Sequence, residues 1–382
     1  MEIKVEEVAS YMDSLFKKQD FSTLADVARQ ITQQRPQIAS AWRYVGITTV
    51  LNGGNGKQSL QQAAVLGDID ANDWLNTLSE FEYYPNSSVK PMHIMQQVDF
   101  MRFRRSPYMD FPIEVTIETQ AICNAACTFC TYPTMERKGD KMSDELIDKI
   151  IQDLKLIPKE LPFTISPFKV SDPLLDKRIF SICEKINHEL PNAKLRLFTN
   201  GSPLTEKIID KIAEIKNVIH LWVSLNEYQK EAYEHTMSLP FDKTIEKLNL
   251  LHQRVEMGYA HPVVISRVCD NTIEDNHFKA FVETNYPLFG VFLIGRSDWA
   301  GQVIIDSDKE VPPIACGRWY ELSIMASGKV ALCCMDGEGR HVVGDVNEQS
   351  VLDVYNSHDY KKMRQFSFSR LSTAAPCDTC IY

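Results

Sequence analysis

The sequence predicts an α/β protein: a partial (β/α)6 barrel, preceded by an N-terminal α-helical repeat-like domain and followed by a small C-terminal domain rich in cysteine. Three observations carry that expectation. From Ile113 short β-branched runs alternate with helical stretches until six strands are counted, the order that builds a parallel sheet. Residues 1 to about 80 hold apolar residues at helical spacing. Eight of the ten cysteines fall into two groupings, and seven of those eight are read as metal ligands.

Composition sets the outer limits. The chain has 382 residues, 44% of them hydrophobic, enough for two or three domains with real cores. Its net charge of −10 argues against wrapping a nucleic-acid backbone, where affinity comes from Lys and Arg on phosphates. No apolar run approaches the roughly 18 residues of a membrane span. The opening MEIKVEEVASYMDSLF reads as an acidic amphipathic helix, unlike a signal peptide. A cytoplasmic protein is expected, with no nucleic acid and no membrane among its partners. In that reducing compartment grouped cysteines read as metal ligands, not disulfides.

The helical elements come first. Phe21, Leu24, Val27, Ala28 and Ile31 form a stripe that Pro36 ends. Trp42, Val45 and Gly46 form the next apolar face, Gly53, Gly54 and Gly56 mark a turn, and Leu60, Ala63, Ala64 and Leu66 make a second helix before a break at Asp70. Pro36 and Asp70 are 34 residues apart, and Trp74, Leu75 and Leu78 begin another partial unit. This resembles a short tetratricopeptide-like array, in which each helix pair covers its apolar face on the next. An ordinary helical cap is the alternative. The domain is expected over residues 1–95, with a linker around Tyr84-Pro85-Asn86-Ser87-Ser88 and a basic-aromatic stretch at 100–105.

The barrel is expected over residues 106–300. Its strands read as Ile113–Glu118, Phe163–Ser166, Leu195–Thr199, His220–Leu225, Pro262–Val268 and Leu288–Ile294. Helices near Ser143–Leu156, Lys177–His188, Glu206–Ile215, Phe241–Arg254 and Ile273–Thr284 connect them. Six strands are too few for a complete eight-stranded barrel, so an open one is the natural closure. In the first strand Ile113, Val115 and Ile117 share one face and Glu114, Thr116 and Glu118 the other. That polar face, with Glu118 nearest the C-terminal mouth, is expected to look into a solvated or ligand-filled interior. The alternative leaves Glu114 at a rim.

Cys123-Asn-Ala-Ala-Cys127-Thr-Phe-Cys130 follows the first strand, at the end of a (β/α) barrel where loops build the site. Three thiolates can hold a metal centre yet leave one position open, because structural zinc and [4Fe–4S] clusters normally take four. A zinc site completed by a distant Cys or His is the alternative. The C-terminal domain, residues 310–382, holds Cys316, the pair Cys333-Cys334, and Cys377-Asp-Thr-Cys380, enough for a closed four-thiolate cluster-binding site. Ser323–Leu332 reads as a hairpin turning at Ser327-Gly328, and Leu352, Val354 and Tyr355 as a helix. Val330, Leu332 and Cys334 share a strand face, which favours Cys334 over Cys333 as ligand. A zinc ribbon is the alternative for this set. Cys183 and Cys269 read as inert thiols.

The C-x3-C-x2-C spacing, with Phe129 before the third Cys, resembles the signature of the radical S-adenosylmethionine (SAM) enzymes. The C-terminal cysteines resemble their twitch domain, a shortened SPASM domain carrying one auxiliary [4Fe–4S] cluster. The resemblance covers residues 113–382 and implies Cys123, Cys127 and Cys130 as ligands of a [4Fe–4S] cluster that binds SAM, with Cys316, Cys334, Cys377 and Cys380 on the auxiliary cluster. It also implies SAM contacts. Phe129 would pack near the adenine, with backbone contacts at Tyr132-Pro133. Ser171-Asp172-Pro173-Leu174-Leu175 resembles the family's Gly-Glu-Pro-Leu-Leu segment, although Asp172 is shorter than the usual Glu. Thr199-Asn200-Gly201 resembles its Thr-Asn-Gly turn, Ser224 closes the fourth strand, and Arg267 is expected to clamp the SAM carboxylate.

The implied activity is reductive cleavage of SAM to a 5′-deoxyadenosyl radical that abstracts hydrogen from substrate. The substrate expected is a sugar- or cyclitol-like small molecule undergoing dehydrogenation, as in the 2-deoxy-scyllo-inosamine dehydrogenase type. An electron donor such as flavodoxin or ferredoxin is implied with it. Two alternatives stay open: peptide or protein modification (epimerisation, crosslinking) with the helical cap holding the partner, and a zinc-binding scaffold protein. Lys169, Arg296, Asp298 and Trp299 are candidate substrate contacts, and no catalytic residue is assigned.

Overall fold

The computed structural model describes residues 5–82, 89–305, 310–366 and 368–382, and the expected linker at 84–88 lies outside the described residues. Two compact units form: Met1–Ser106 with Pro312–Cys316 and Phe368–Leu371, and Pro107–Val311 with Gly317–Ser367 and Ser372–Tyr382.

The first unit is built from α1 (Val5–Lys17), α2 (Phe21–Gln34), α3 (Ala39–Leu51), α4 (Lys57–Val65), α5 (Ile69–Glu82) and α6 (Pro91–Arg104). Asp20 starts α2 by accepting the Thr23 N–H at 3.2 Å. Asp68 does the same for α5 through Ala71 at 3.0 Å. The break expected at Asp70 therefore moves: Asp70 lies in the first turn of α5, where a carboxylate suits the helix dipole. Each helix packs on its sequence neighbour, and α3 also packs on α1, α5 and α6, as stacked helix pairs do. Met12, Leu24, Ala28, Ala41, Leu60 and Ala63 are fully buried between them. At Gly46 the approach is close enough that a Cβ would lie 2.6 Å from Leu60 Cγ. The basic-aromatic stretch proves to be the end of α6, where Val98 and Met101 are buried and Arg102 and Arg105 both pair with Asp73.

In the second unit strands and helices alternate: β1 (Glu114–Ile117), α7 (Asp144–Leu154), β2 (Phe163–Ser166), α8 (Ile179–Glu189), β3 (Ala193–Thr199), α9 (Glu206–Glu214) and β4 (Val218–Ser224). Two helices, α10 (Lys230–Met237) and α11 (Phe241–Glu256), precede β5 (Val263–Cys269), α12 (Ile273–Asn285) and β6 (Gly290–Gly295). Ser143, Thr205 and Thr272 cap α7, α9 and α12 through their hydroxyls. The chain continues through β7 (Glu321–Ile324), β8 (Lys329–Ala331), β9 (Val342–Asp345), α13 (Val351–Tyr355) and α14 (His358–Phe366).

The nine strands among the described residues form one sheet in the order β6-β5-β4-β3-β2-β1-β7-β8-β9. Neighbours from β6 to β7 run parallel, whereas β7-β8 and β8-β9 are antiparallel. The six-strand partial barrel is present, and the C-terminal hairpin extends it: β7 lies beside β1 as a further parallel strand, with Val115 opposite Leu322. Val115, Ile165, Leu195, Leu221, Val223 and Ile265 are buried in the core cluster shared with Ile147, Ile150, Ile182, Ile209, Leu248 and Phe278 of the helices. Because strand side chains alternate, the opposite face carries a different set. Register places Arg196 beside His220, Phe198 beside Trp222, and Ser224 beside Ser266 on it.

Candidate active site

That opposite face encloses a cavity of about 640 Å³. Cys123, Cys127 and Cys130 line it, in the loop that leaves β1. The loop is fastened from below: Ala126 donates to Met237 O at 3.2 Å and Thr128 to Thr236 O at 2.9 Å, both at the end of α10. Burial pushes the Cys130 thiol up to about 11 and raises Cys123 and Cys127 as well, so metal loading must displace their protons. Among the described residues no three His, Cys, Asp or Glu side chains form the ligand set of a single metal ion. Three thiols on one wall of a cavity this size suit a cluster that keeps a face free for a second ligand.

The other expected cofactor contacts are distributed around the same cavity. Phe129, Tyr132, Asp172, Asn200 and Ser224 all line it. Asp172, 1% exposed, spends its carboxylate on its own chain: it accepts from Leu174 N at 3.1 Å, the Thr199 hydroxyl at 2.9 Å and Asn200 N at 2.8 Å. Burial pushes its carboxyl up to about 6. Asp172 thereby holds the Thr-Asn-Gly turn, and Asn200 Nδ2 reaches Asn124 Oδ1 at 2.8 Å inside the cysteine loop.

Arg267 departs from expectation. Val264, Ser266 and Val268 alternate with it, and Ser266 and Val268 are the ones that line the cavity. The Arg267 guanidinium lies on the helix side, 2.8 Å from Asp275, 2.7 Å from Glu227 and 2.9 Å from Asp270. The anion that this buried Arg needs is supplied three times over by the protein. Lys169 is likewise fastened, donating to the Ser323 hydroxyl at 2.8 Å and to the Cys333 and Cys334 carbonyls. Glu118 is fully buried against Arg137 and does not line the cavity, whereas Glu114 does. Of the bridge residues, Trp299 lines it and donates to Phe129 O at 2.8 Å, while Arg296 pairs with Asp270.

The strand alternation also brings in residues that went unread in the sequence. Arg196 pairs with Glu114 at 2.7 Å, and Ser166 donates to the same carboxylate at 2.6 Å. His220 lines the wall beside them, its pKa lowered by burial and then by the Arg196 charge. Phe168 stacks on Phe198 at 4.1 Å, and Trp222 packs on both Phe198 and Phe292. The available signal was period two: Arg196 and Phe198 alternate with leucines on β3, as His220 and Trp222 alternate with Leu221 and Val223 on β4.

The C-terminal cysteines divide. Cys334 lines the cavity with Arg318 and Tyr382, and Cys333 does not. Both lie beyond β8, which ends at Ala331, so the strand-face argument that favoured Cys334 does not hold. Cys377 and Cys380 bracket a single 3-10 turn closed by Cys380 N donating to Cys377 O at 3.3 Å. Cys316 falls in the first compact unit and the other three in the second.

Comparison with known proteins agrees with this architecture. Residues 117–283 match the radical SAM superfamily, and residues 316–381 match the SPASM iron–sulfur cluster-binding domain. The chain is thus a radical SAM protein with a SPASM domain. Its cofactors are SAM, a [4Fe–4S] cluster and an auxiliary iron–sulfur cluster. Among solved structures it is similar to SuiB of Streptococcus suis bound to precursor peptide SuiA, at 12% identity over 85% of this chain and 86% of that one, with a TM-score of 0.54. Native anSMEcpe with bound AdoMet has 15% identity over 69% and 84% and a TM-score of 0.50. BtrN in complex with AdoMet and 2-DOIA has 15% identity over 71% and 94% and a TM-score of 0.49. A comparison with curated proteins finds no match. Among the described residues no helix is long and apolar enough to cross a membrane.

Proposed function

We propose that this radical SAM enzyme is an oxidoreductase that dehydrogenates a sugar- or cyclitol-like small molecule. The observation that carries the reading is the cavity wall formed by Glu114, Arg196 and His220 beside the rings of Phe198 and Trp222, with Ser166 donating to Glu114 from behind the lining. Its charges cancel within the Glu114–Arg196 pair, so it suits a neutral ligand with hydroxyls to exchange and an apolar face to lay on a ring. In this reading Cys123, Cys127 and Cys130 hold the SAM-binding cluster, and Cys316, Cys334, Cys377 and Cys380 the auxiliary one. Phe129, Tyr132, Asn200 and Ser224 face SAM, while Asp172 keeps the Asn200 turn in place. When bound, the reduced cluster and SAM supply the 5′-deoxyadenosyl radical that takes hydrogen from substrate. The enclosing strands keep bulk water from that radical.

The division of labour we propose is a tetratricopeptide-like domain over 1–95, the radical SAM barrel over 106–300 and the auxiliary-cluster domain over 310–382. A reducing cytoplasm suits ten free cysteines, and a flavodoxin or ferredoxin would deliver the electron. A second reading, peptide or protein modification, draws on the stacked helices of the first unit, a form that binds extended chains. The test is anaerobic incubation of the reconstituted enzyme with dithionite, SAM and either carbinol-deuterated cyclitols or short peptides. Deuterium entering 5′-deoxyadenosine from the cyclitols supports the first reading. Stimulation by peptides alone replaces it with the second.

A further inference from the structure

The two cysteine loops of the second unit are tied to one buried carboxylate. Glu118 is 0% exposed, and each of its oxygens accepts two bonds. Oε1 takes the Val170 N–H and one Arg137 nitrogen, both at 3.1 Å. Oε2 takes the Ala326 N–H at 3.1 Å and a second Arg137 nitrogen. Arg137, seven residues past Cys130, also donates to Gly337 O, three residues past Cys334. Lys169, next to Val170, holds the Cys333 and Cys334 carbonyls.

Around this hub the two loops touch directly. Gly337 sits on Thr131, the residue after Cys130, so closely that a Cβ would lie 2.2 Å from Thr131 Cγ2. Gln302 bridges Thr131 to Asp336, and Glu136 donates its N–H to Glu338 at 3.1 Å.

We infer that Glu118 is a positioning residue that locks the loop of the first cysteine trio to the Cys333-Cys334 loop, so that the two iron–sulfur sites share one frame. The inference rests on the proposed ligand assignments. A buried carboxylate that accepts two backbone N–H groups and a forked guanidinium has a single low-energy arrangement. Removing it leaves the Arg137 charge without its counterion, and both loops lose their common anchor. The hydrogen bonds of the Lys169 ammonium go to the Ser323 hydroxyl and to the Cys333 and Cys334 carbonyls.

The full chain, reconstituted anaerobically with iron and sulfide, tests this through the electron paramagnetic resonance spectrum and midpoint potentials of the dithionite-reduced protein, with and without SAM. Wild type is expected to show two signals, one of them moved by SAM. Glu118→Gln should shift both signals and both potentials, and Lys169→Met only the signal indifferent to SAM. Gly337→Ala, which wedges the loops apart without removing a charge, should again shift both. If Glu118→Gln takes up no iron, Gly337→Ala decides. Either signal unchanged in a folded, iron-loaded Gly337→Ala variant overturns the coupling. Wild type with a single cluster instead overturns the ligand assignments, and the coupling with them.

Discussion

The Asp172 carboxylate accepts the backbone N–H of Asn200 at 2.8 Å, joining the loop after β2 to the turn after β3 at the cavity wall. A Thr199 hydroxyl on the same oxygen and Leu174 N on the other complete its set. An aspartate at this position is therefore short enough to serve the chain itself.

Its pH dependence follows. Burial lifts the folded carboxyl from 3.8 to about 6, so the stability that Asp172 contributes is fully present below about pH 4 and lost as pH rises through 6. Asp172→Asn does not titrate. Wild type should lose roughly 3 kcal/mol relative to the variant between pH 4 and 8. Urea unfolding of the apoprotein across that range measures it, and a pH-independent difference would remove Asp172 from the titration.

The cysteine groups should separate in iron content. Cys127→Ser should cost about four iron atoms per chain and all SAM cleavage. Cys380→Ser should cost about as much iron and leave uncoupled SAM cleavage measurable. Colorimetric iron assay with chromatography of 5′-deoxyadenosine checks both; equal loss of cleavage in the two variants would count against separate clusters.

Arg267 should behave as a structural residue. Arg267→Met leaves Asp275, Glu227 and Asp270 without their shared cation and should destabilise the fold by about 3–5 kcal/mol. Calorimetric SAM affinity of the folded fraction should stay within twofold of wild type. A large affinity loss at unchanged stability would restore Arg267 as a SAM clamp.

The β7-β8 turn should depend on its glycine. Gly328 has φ +88°, and a Cβ there would lie 2.3 Å from Asn347 Nδ2. Gly328→Ala should cost about 1–3 kcal/mol, read by thermal unfolding. An unchanged melting temperature would show that the turn relaxes freely.

Much of the fold was legible because it rests on local pattern. The six barrel strands and their helices follow from apolar periodicity, and the Ser327-Gly328 turn from glycine's access to positive φ. The short helix α10 went unread because its face is mostly polar, and only Tyr233 and Met237 are buried. The pairing of β7 with β1 joins residues about 200 positions apart, and no local pattern encodes a partner that distant.

At the cavity the same division applies. By itself the sequence determined which chemistry is present: three closely spaced thiols after the first strand, five more near the C-terminus, enough for a four-thiolate site, and a barrel to hold them, since spacing and residue type are local properties. Tertiary structure alone decided where each charge is spent. It turned Arg267 outward to three carboxylates, closed Asp172 onto Asn200, and set Glu114 against Arg196 inside the cavity. A charged side chain buried by folding takes whichever partner the packing brings within reach, and that distance is set by strand register and helix placement.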